Sequence, residues 1–143
     1  MRVALGCDHA GFPLKEHLKK TLDRLGVPWE DAGTDSEESV DYPDFAHRVA
    51  EAVASGRFSR GFLACGTGIG ISIAANRHPG VRAAHVCTEE EARLSREHND
   101  ANILALGGRT TDPVLAEKLL EIWLTTPFTR GRHARRVAKI ETR

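Results

Sequence analysis

Residues 61–70 read Gly-Phe-Leu-Ala-Cys-Gly-Thr-Gly-Ile-Gly. An apolar run ends at Cys65. Glycines follow at alternate positions, Gly66, Gly68 and Gly70, and an Ile-Ser-Ile-Ala-Ala segment comes next. The pattern predicts a strand, a glycine-rich turn and a helix N-terminus, with a thiol and the Thr67 hydroxyl at the hinge. Unpaired backbone N–H groups at such a turn attract anions. The positive end of a helix also favours a thiolate over a thiol. A lone cysteine after a strand is most often a small buried hydrophobe. The glycines after Cys65 let N–H groups approach closely, which favours a functional thiol here. Cys7 and Cys87 also end strands but lack such a turn, and they read as structural.

Three other groups of residues could do chemistry. Asp8 and His9 follow the first strand. An aspartate there can simply cap the next helix, but with the histidine it makes a polar pair where ligands bind. His98-Asn99-Asp100 lies past the fourth helix, where a histidine can merely answer the helix dipole. Arg132 and Arg136 stand one helical turn apart, with His133 between them. Two guanidinium forks on one helix face suit a phosphate monoester. The plainer reading is a solvated terminal helix, since Arg130, Arg132, Arg135, Arg136, Lys139 and Arg143 crowd the C-terminus.

Strand and helix patterns alternate from end to end and must position these groups. Arg2–Cys7 reads as a buried strand. Leu14, Leu18, Leu22 and Leu25 recur at helical spacing, with Pro13 in the first turn and Gly26 at the end. Val27–Asp31 is a weaker strand, and Pro28 places it at a sheet edge. A polar loop runs to Tyr42, and Pro43 opens a helix carrying Phe45, Val49 and Val53. The third strand spans Gly61–Ala64, and its helix runs to about Arg77, before Pro79-Gly80. Val81–Val86 is the fourth strand, followed by a capping box of Thr88 and Glu91. Ile103–Leu106 is the fifth, and Asp112-Pro113 starts the helix that Pro127 ends.

Five such units in 143 residues imply one α/β domain, residues 1–143, with a parallel sheet and helices on both faces. This is a three-layer, Rossmann-like α/β/α sandwich with a C-terminal helical tail. Ligands in such folds bind at the carboxyl ends of the strands. That gathers Cys7-Asp8-His9, Asp31, Cys65-Gly66-Thr67, Cys87 and Gly108-Arg109 at one rim. A helix returning from a strand's carboxyl end finishes at the opposite rim, so His98 should lie far from its own Cys65. A second subunit could supply it.

Twenty basic and twenty acidic residues balance, which gives no general reason to bind nucleic acid or membranes. Three cysteines without close pairs argue for a reducing compartment and against a structural zinc site. No apolar run approaches the roughly 20 residues that span a bilayer. A cytoplasmic protein is expected.

Together these residues resemble the type B ribose-5-phosphate isomerases, of the ribose/galactose-6-phosphate isomerase family. The likeness covers essentially the whole chain. It rests on Gly6-Cys-Asp-His-Ala-Gly11, Asp41-Tyr-Pro-Asp44, Cys65-Gly-Thr-Gly-Ile-Gly70, Glu97-His-Asn-Asp-Ala-Asn102, Leu106-Gly-Gly-Arg109 and Gly131-Arg-His133 with Arg136. The resemblance implies an aldose–ketose isomerase of the pentose phosphate pathway, with no metal or organic cofactor. It implies a homodimer or homotetramer. Cys65 is then the base moving a proton between C2 and C1, a step some relatives give to a carboxylate. His98 is the acid that opens the sugar ring, and Asp8 assists. Thr67 steadies the reacting hydroxyls. His9, Arg132 and Arg136 hold the phosphate, while Asn99 and Arg109 contact the substrate from the same or the partner subunit. Backbone N–H groups from Gly66 through Thr67, Gly68 and Ile69 to Gly70 form a preorganised hole for the enediolate. Tyr42, at the end of the loop after the second strand, is expected to line the sugar site.

Two rivals fail on the residues. A dinucleotide fingerprint needs a third glycine where Ile71 stands, and there is no Walker-type lysine. A thiol phosphatase needs an arginine soon after its nucleophile, but none occurs between Cys65 and Arg77.

Overall fold

The apolar runs at residues 3–7, 61–65 and 103–107 become the three central strands of a parallel sheet, β1 (Val3–Cys7), β3 (Arg60–Cys65) and β5 (Ile103–Gly107). Near-continuous apolar sequence suits them because helices cover both of their faces. β2 (Trp29–Asp31) and β4 (Ala83–His85) are short and lie at the edges, giving the order β2-β1-β3-β5-β4. The computed structural model describes residues 1–142, so Arg143 of the basic run lies outside the described residues.

The helices are α1 (Phe12–Arg24), α2 (Tyr42–Ala54), α3 (Ile69–Ala75), α4 (Glu89–Glu97), α5 (Pro113–Thr125) and α6 (Arg132–Ala138). Leu14, Leu18 and Leu22 of α1 share a core layer with Ala92 of α4 and with Leu119, Leu120 and Trp123 of α5. Val49 and Val53 of α2 and Ile71 of α3 fill the layer on the other face. Cys7 belongs to the first layer and Cys65 to the second, so the sheet separates the two thiols. No helix among the described residues is long and apolar enough to cross a membrane.

Several boundaries differ from expectation, among them β2, which starts at Trp29, β3, which spans Arg60–Cys65, and β5, which reaches Gly107. β1 begins at Val3, not Arg2, where its pairing with Trp29 and Arg60 starts. α3 stops at Ala75, and β4 is confined to Ala83–His85. The Asn76 side chain sits between these two points. Its amide donates to the Ala83 carbonyl at 2.9 Å and accepts from the Ala83 N–H at 2.7 Å. This side chain therefore ties the end of α3 to the start of the next strand. The capping box is present as expected: Thr88 accepts from the Glu91 N–H, and Glu91 accepts from the Thr88 N–H.

Lys15 is fully buried, which its sequence position does not announce. Its ammonium donates to Asp31 at 2.7 Å and to the Thr34 carbonyl. Lys19 binds the other Asp31 oxygen at 2.7 Å. Burial alone would raise the Asp31 carboxyl, but the two lysines and the Gly33 N–H outweigh it and hold it below the usual range. Asp31 is thus committed to fastening α1 to the segment after β2. It reaches the rim as expected, but in this structural role. Burial pushes the Cys7 thiol up to about 11 against the pull of Lys15, so it stays protonated and structural.

Candidate active site

β3 delivers Cys65 at its carboxyl end, paired with Gly107 of β5. The Cys65 side chain is buried, and its sulfur accepts from the Gly68 N–H at 3.2 Å. Gly68 makes this possible with a left-handed backbone, φ +82°. A Cβ there would lie 2.7 Å from the His85 ring and 2.8 Å from the Leu106 carbonyl carbon. Gly68→Ala is therefore expected to destabilise the protein by roughly 2–5 kcal/mol, combining backbone strain and overpacking. Denaturant unfolding measures this, and an unchanged midpoint would refute the close fit.

The turn's N–H groups are not all free. Gly68 is committed to the sulfur, and the Ile69 N–H donates to the Thr67 hydroxyl at 3.2 Å. Gly66, Thr67 and Gly70 keep N–H groups without acceptors among the described residues. The expected five-donor hole is thus three donors plus a thiol-directed one. Thr67 is exposed at the mouth of the turn.

Neighbouring elements close around this turn. Arg109 is joined to it by its own N–H, which donates to the Gly66 carbonyl at 3.0 Å. Tyr42, the first residue of α2, sets its ring against Gly70, where a Cβ would meet it at 2.7 Å. Asp8 is buried after β1. One of its carboxylate oxygens accepts from the Ala10 and Gly11 N–H groups, both at 3.0 Å. This tight turn precedes α1 and does not cap it, because Gly11 is the N-cap. His9 stands beside it, half-buried, with Nδ1 bound to the Val40 N–H at 3.1 Å.

The other expected site residues lie elsewhere. His98 is the C-cap of α4. It precedes the first residue of β5, whereas Cys65 pairs with the last. Four residue steps of strand separate those levels by about 13 Å. α6 sits at the same far rim, because the Thr129 N–H and hydroxyl both bond the Glu97 carbonyl. His133 stacks on His98 with ring centroids 4.1 Å apart. Desolvation against its neighbours and the nearby positive charges of His98, Arg132 and Arg136 push the His133 imidazole below its usual range. Asn99, Arg132 and Arg136 are exposed on this rim. Asn99 also lines a cleft of about 1060 Å³ together with Arg77, Arg82 and Ile140.

The fold therefore brings together Asp8, His9, Tyr42, Cys65–Gly70 and Arg109 at one rim. It gathers His98, Asn99, Arg132 and Arg136 at the other. Two further points differ from the sequence reading. Cys87 is exposed and lies 3.9 Å from the His85 ring nitrogen, so it is not a core residue. His85 itself, packed behind Gly68, was missed. Its one sequence signal is its place at the carboxyl end of β4, on the ligand rim.

Comparison with known proteins gives a consistent picture. A family model described as Ribose/Galactose Isomerase matches residues 3–140. Ribose-5-phosphate isomerase B of Escherichia coli K12 is 49% identical over 140 residues, covering 97% of this chain and 93% of the relative. The solved structure of Clostridium thermocellum ribose-5-phosphate isomerase B superposes with a TM-score of 0.96 at 53% identity, covering 98% of this chain and 95% of that one. That of a Thermotoga maritima ribose 5-phosphate isomerase superposes with a TM-score of 0.95 at 50% identity, covering 97% and 96%.

Proposed function

The chain belongs to the ribose/galactose isomerase family, and on that premise we propose that it interconverts ribose 5-phosphate and ribulose 5-phosphate. It is an aldose–ketose isomerase, and the work of its site is to move one proton between adjacent carbons. The observation that carries the reading is the Cys65 sulfur, held by the Gly68 N–H in a turn where the Gly66, Thr67 and Gly70 N–H groups have no acceptor among the described residues.

The reaction begins with a furanose, which has no carbonyl to activate. His98 protonates the ring oxygen as the anomeric hydroxyl loses its proton, and the C1–O bond to the ring opens. Asp8 assists at this stage. The Cys65 thiolate then removes the C2 proton, leaving an enediolate. The free N–H groups of Gly66, Thr67 and Gly70 stabilise its charge, and preorganised donors of this kind often supply the largest catalytic contribution. The O2 hydroxyl proton passes to O1, the protonated thiol returns its proton to C1, and the ketose forms. Thr67 steadies the reacting hydroxyls, while Arg109, Asn99 and Tyr42 contact the sugar. His9, Arg132 and Arg136 grip the phosphate, and that remote binding orients the reacting carbons.

The separation of the two rims supports a shared site. One copy brings Cys65 and its turn, and the second copy brings His98, Asn99, Arg132 and Arg136. Ile69 and Ile73 of α3 and Tyr42 are exposed beside the turn and fit such a contact. The reading carries with it a homodimer or homotetramer of the pentose phosphate pathway, working in the cytoplasm.

The test is an isomerase assay on ribose 5-phosphate, allose 6-phosphate and galactose 6-phosphate. Ribose 5-phosphate is expected to give the highest kcat/KM. A higher value for either six-carbon sugar would overturn the substrate assignment and leave the reaction class intact.

A further inference from the structure

Residues 35–41 carry the chain from β1's neighbourhood to the start of α2. At one end the Thr34 N–H donates to the Cys7 carbonyl at 2.8 Å. At the other, Asp41 is the N-cap of α2. Between them, one hydrogen bond ties the loop to the body of the protein among the described residues. It runs from the Val40 N–H to Nδ1 of His9. The bond from the Glu38 N–H to the Ser36 hydroxyl, at 3.3 Å, is internal to the loop. Asp35, Glu37, Glu38 and Asp41 are all exposed. Their mutual repulsion gives the loop no tendency to hold itself down.

A backbone N–H only donates, so Nδ1 of His9 must keep its lone pair. The proton of the neutral ring then sits on Nε2, the nitrogen left open to a ligand. We propose that Val40 fixes His9 as the neutral Nε2–H tautomer, and that this one bond also fastens the 35–41 loop over the site. The proposal deepens the reading above and rests on it where it takes His9 as a phosphate ligand. Val40 acts through its backbone as a positioning residue.

Two consequences follow from the chemistry. His9 offers the phosphate a directed N–H but no positive charge, so neutralisation falls to Arg132 and Arg136. The loop and the ring also form one coupled element. A proton on Nδ1 would set N–H against N–H and release Val40. A phosphate oxygen accepting from Nε2–H polarises the ring and makes Nδ1 a better acceptor. Because the loop leads straight into Tyr42, which contacts the sugar, its release weakens substrate binding there as well.

The experiment is histidine-¹⁵N NMR on the intact, ligand-free protein, with His9 assigned by its loss in His9→Asn. Nδ1 is expected as the bare, pyridine-type nitrogen and Nε2 as the protonated one. Val40→Pro removes the donor without touching the ring. It should give a mixture of tautomers and raise KM for ribose 5-phosphate roughly tenfold with little change in kcat. Amide exchange at Val40 provides an independent arm. His9→Asn keeps an acceptor at the Nδ1 position, whereas His9→Gln carries its amide out to the Nε2 position and leaves no acceptor at Nδ1. Protection of Val40 should survive in the first and fall roughly tenfold in the second. A wild-type ring protonated on Nδ1, or equal protection in the two variants, would overturn the proposal. The spectrum needs no substrate. Inactivity on every sugar phosphate would therefore sink the functional reading and leave the tautomer to be decided by the spectrum.

Discussion

Replacing Cys65 with serine is expected to lower kcat on ribose 5-phosphate by roughly 10²–10⁴-fold, the range for loss of a positioned general base. KM should change little, because the phosphate grip and the N–H donors of the turn are untouched. Serine fits the space left by the buried thiol, and its hydroxyl can still accept from the Gly68 N–H. Folding should therefore be preserved, which circular dichroism and unfolding midpoints check. What is lost is the acidity of sulfur, since a hydroxyl does not ionise near neutral pH. A serine variant with wild-type turnover would remove Cys65 from proton transfer.

Mixing two inactive chains is expected to restore activity. Cys65→Ala lacks the base, and His98→Ala lacks the ring-opening acid. If each site takes Cys65 from one subunit and His98 from the other, a mixed dimer holds one site with both lesions and one with neither. Random exchange at equal amounts makes half the dimers mixed, so about a quarter of wild-type activity should return. If both residues served the same subunit's site, every site would keep a lesion and nothing would return. This outcome decides between the shared site and a large rearrangement that carries α4 and α6 across the sheet. The geometry favours sharing, because His133 is stacked on His98 and Thr129 is bonded to Glu97, which holds that rim together as a unit.

Much of the fold was legible because its signals are local. The buried strands at 3–7 and 103–107 are short apolar runs between turn residues. α1 and α5 show their apolar spacing, proline starts and, for α1, a terminal glycine. The edge position of β2 followed from Pro28. The reading overshot at α3 and β4, where Asn76 bonds Ala83 across a turn, a contact that no periodicity records. Lys15 was missed for a similar reason. A lysine in a helix's second turn normally reaches water, and only the approach of Asp31 and Thr34 makes its burial tolerable.

By itself the sequence determined the strand, turn and helix around Cys65, the parallel α/β architecture and the set of residue types for sugar-phosphate chemistry. These depend on neighbours a few positions apart, and alternating strand and helix leave few ways to pack. Only the tertiary structure decided how those residues are divided. A helix that starts at one rim of a sheet must end at the other, so Cys65 and His98 are separated by the length of a strand. It also decided how the turn's own N–H groups are spent, with Gly68 on the sulfur and Ile69 on Thr67. Both outcomes rest on contacts and backbone angles fixed by the packed fold, and residue order alone does not specify them.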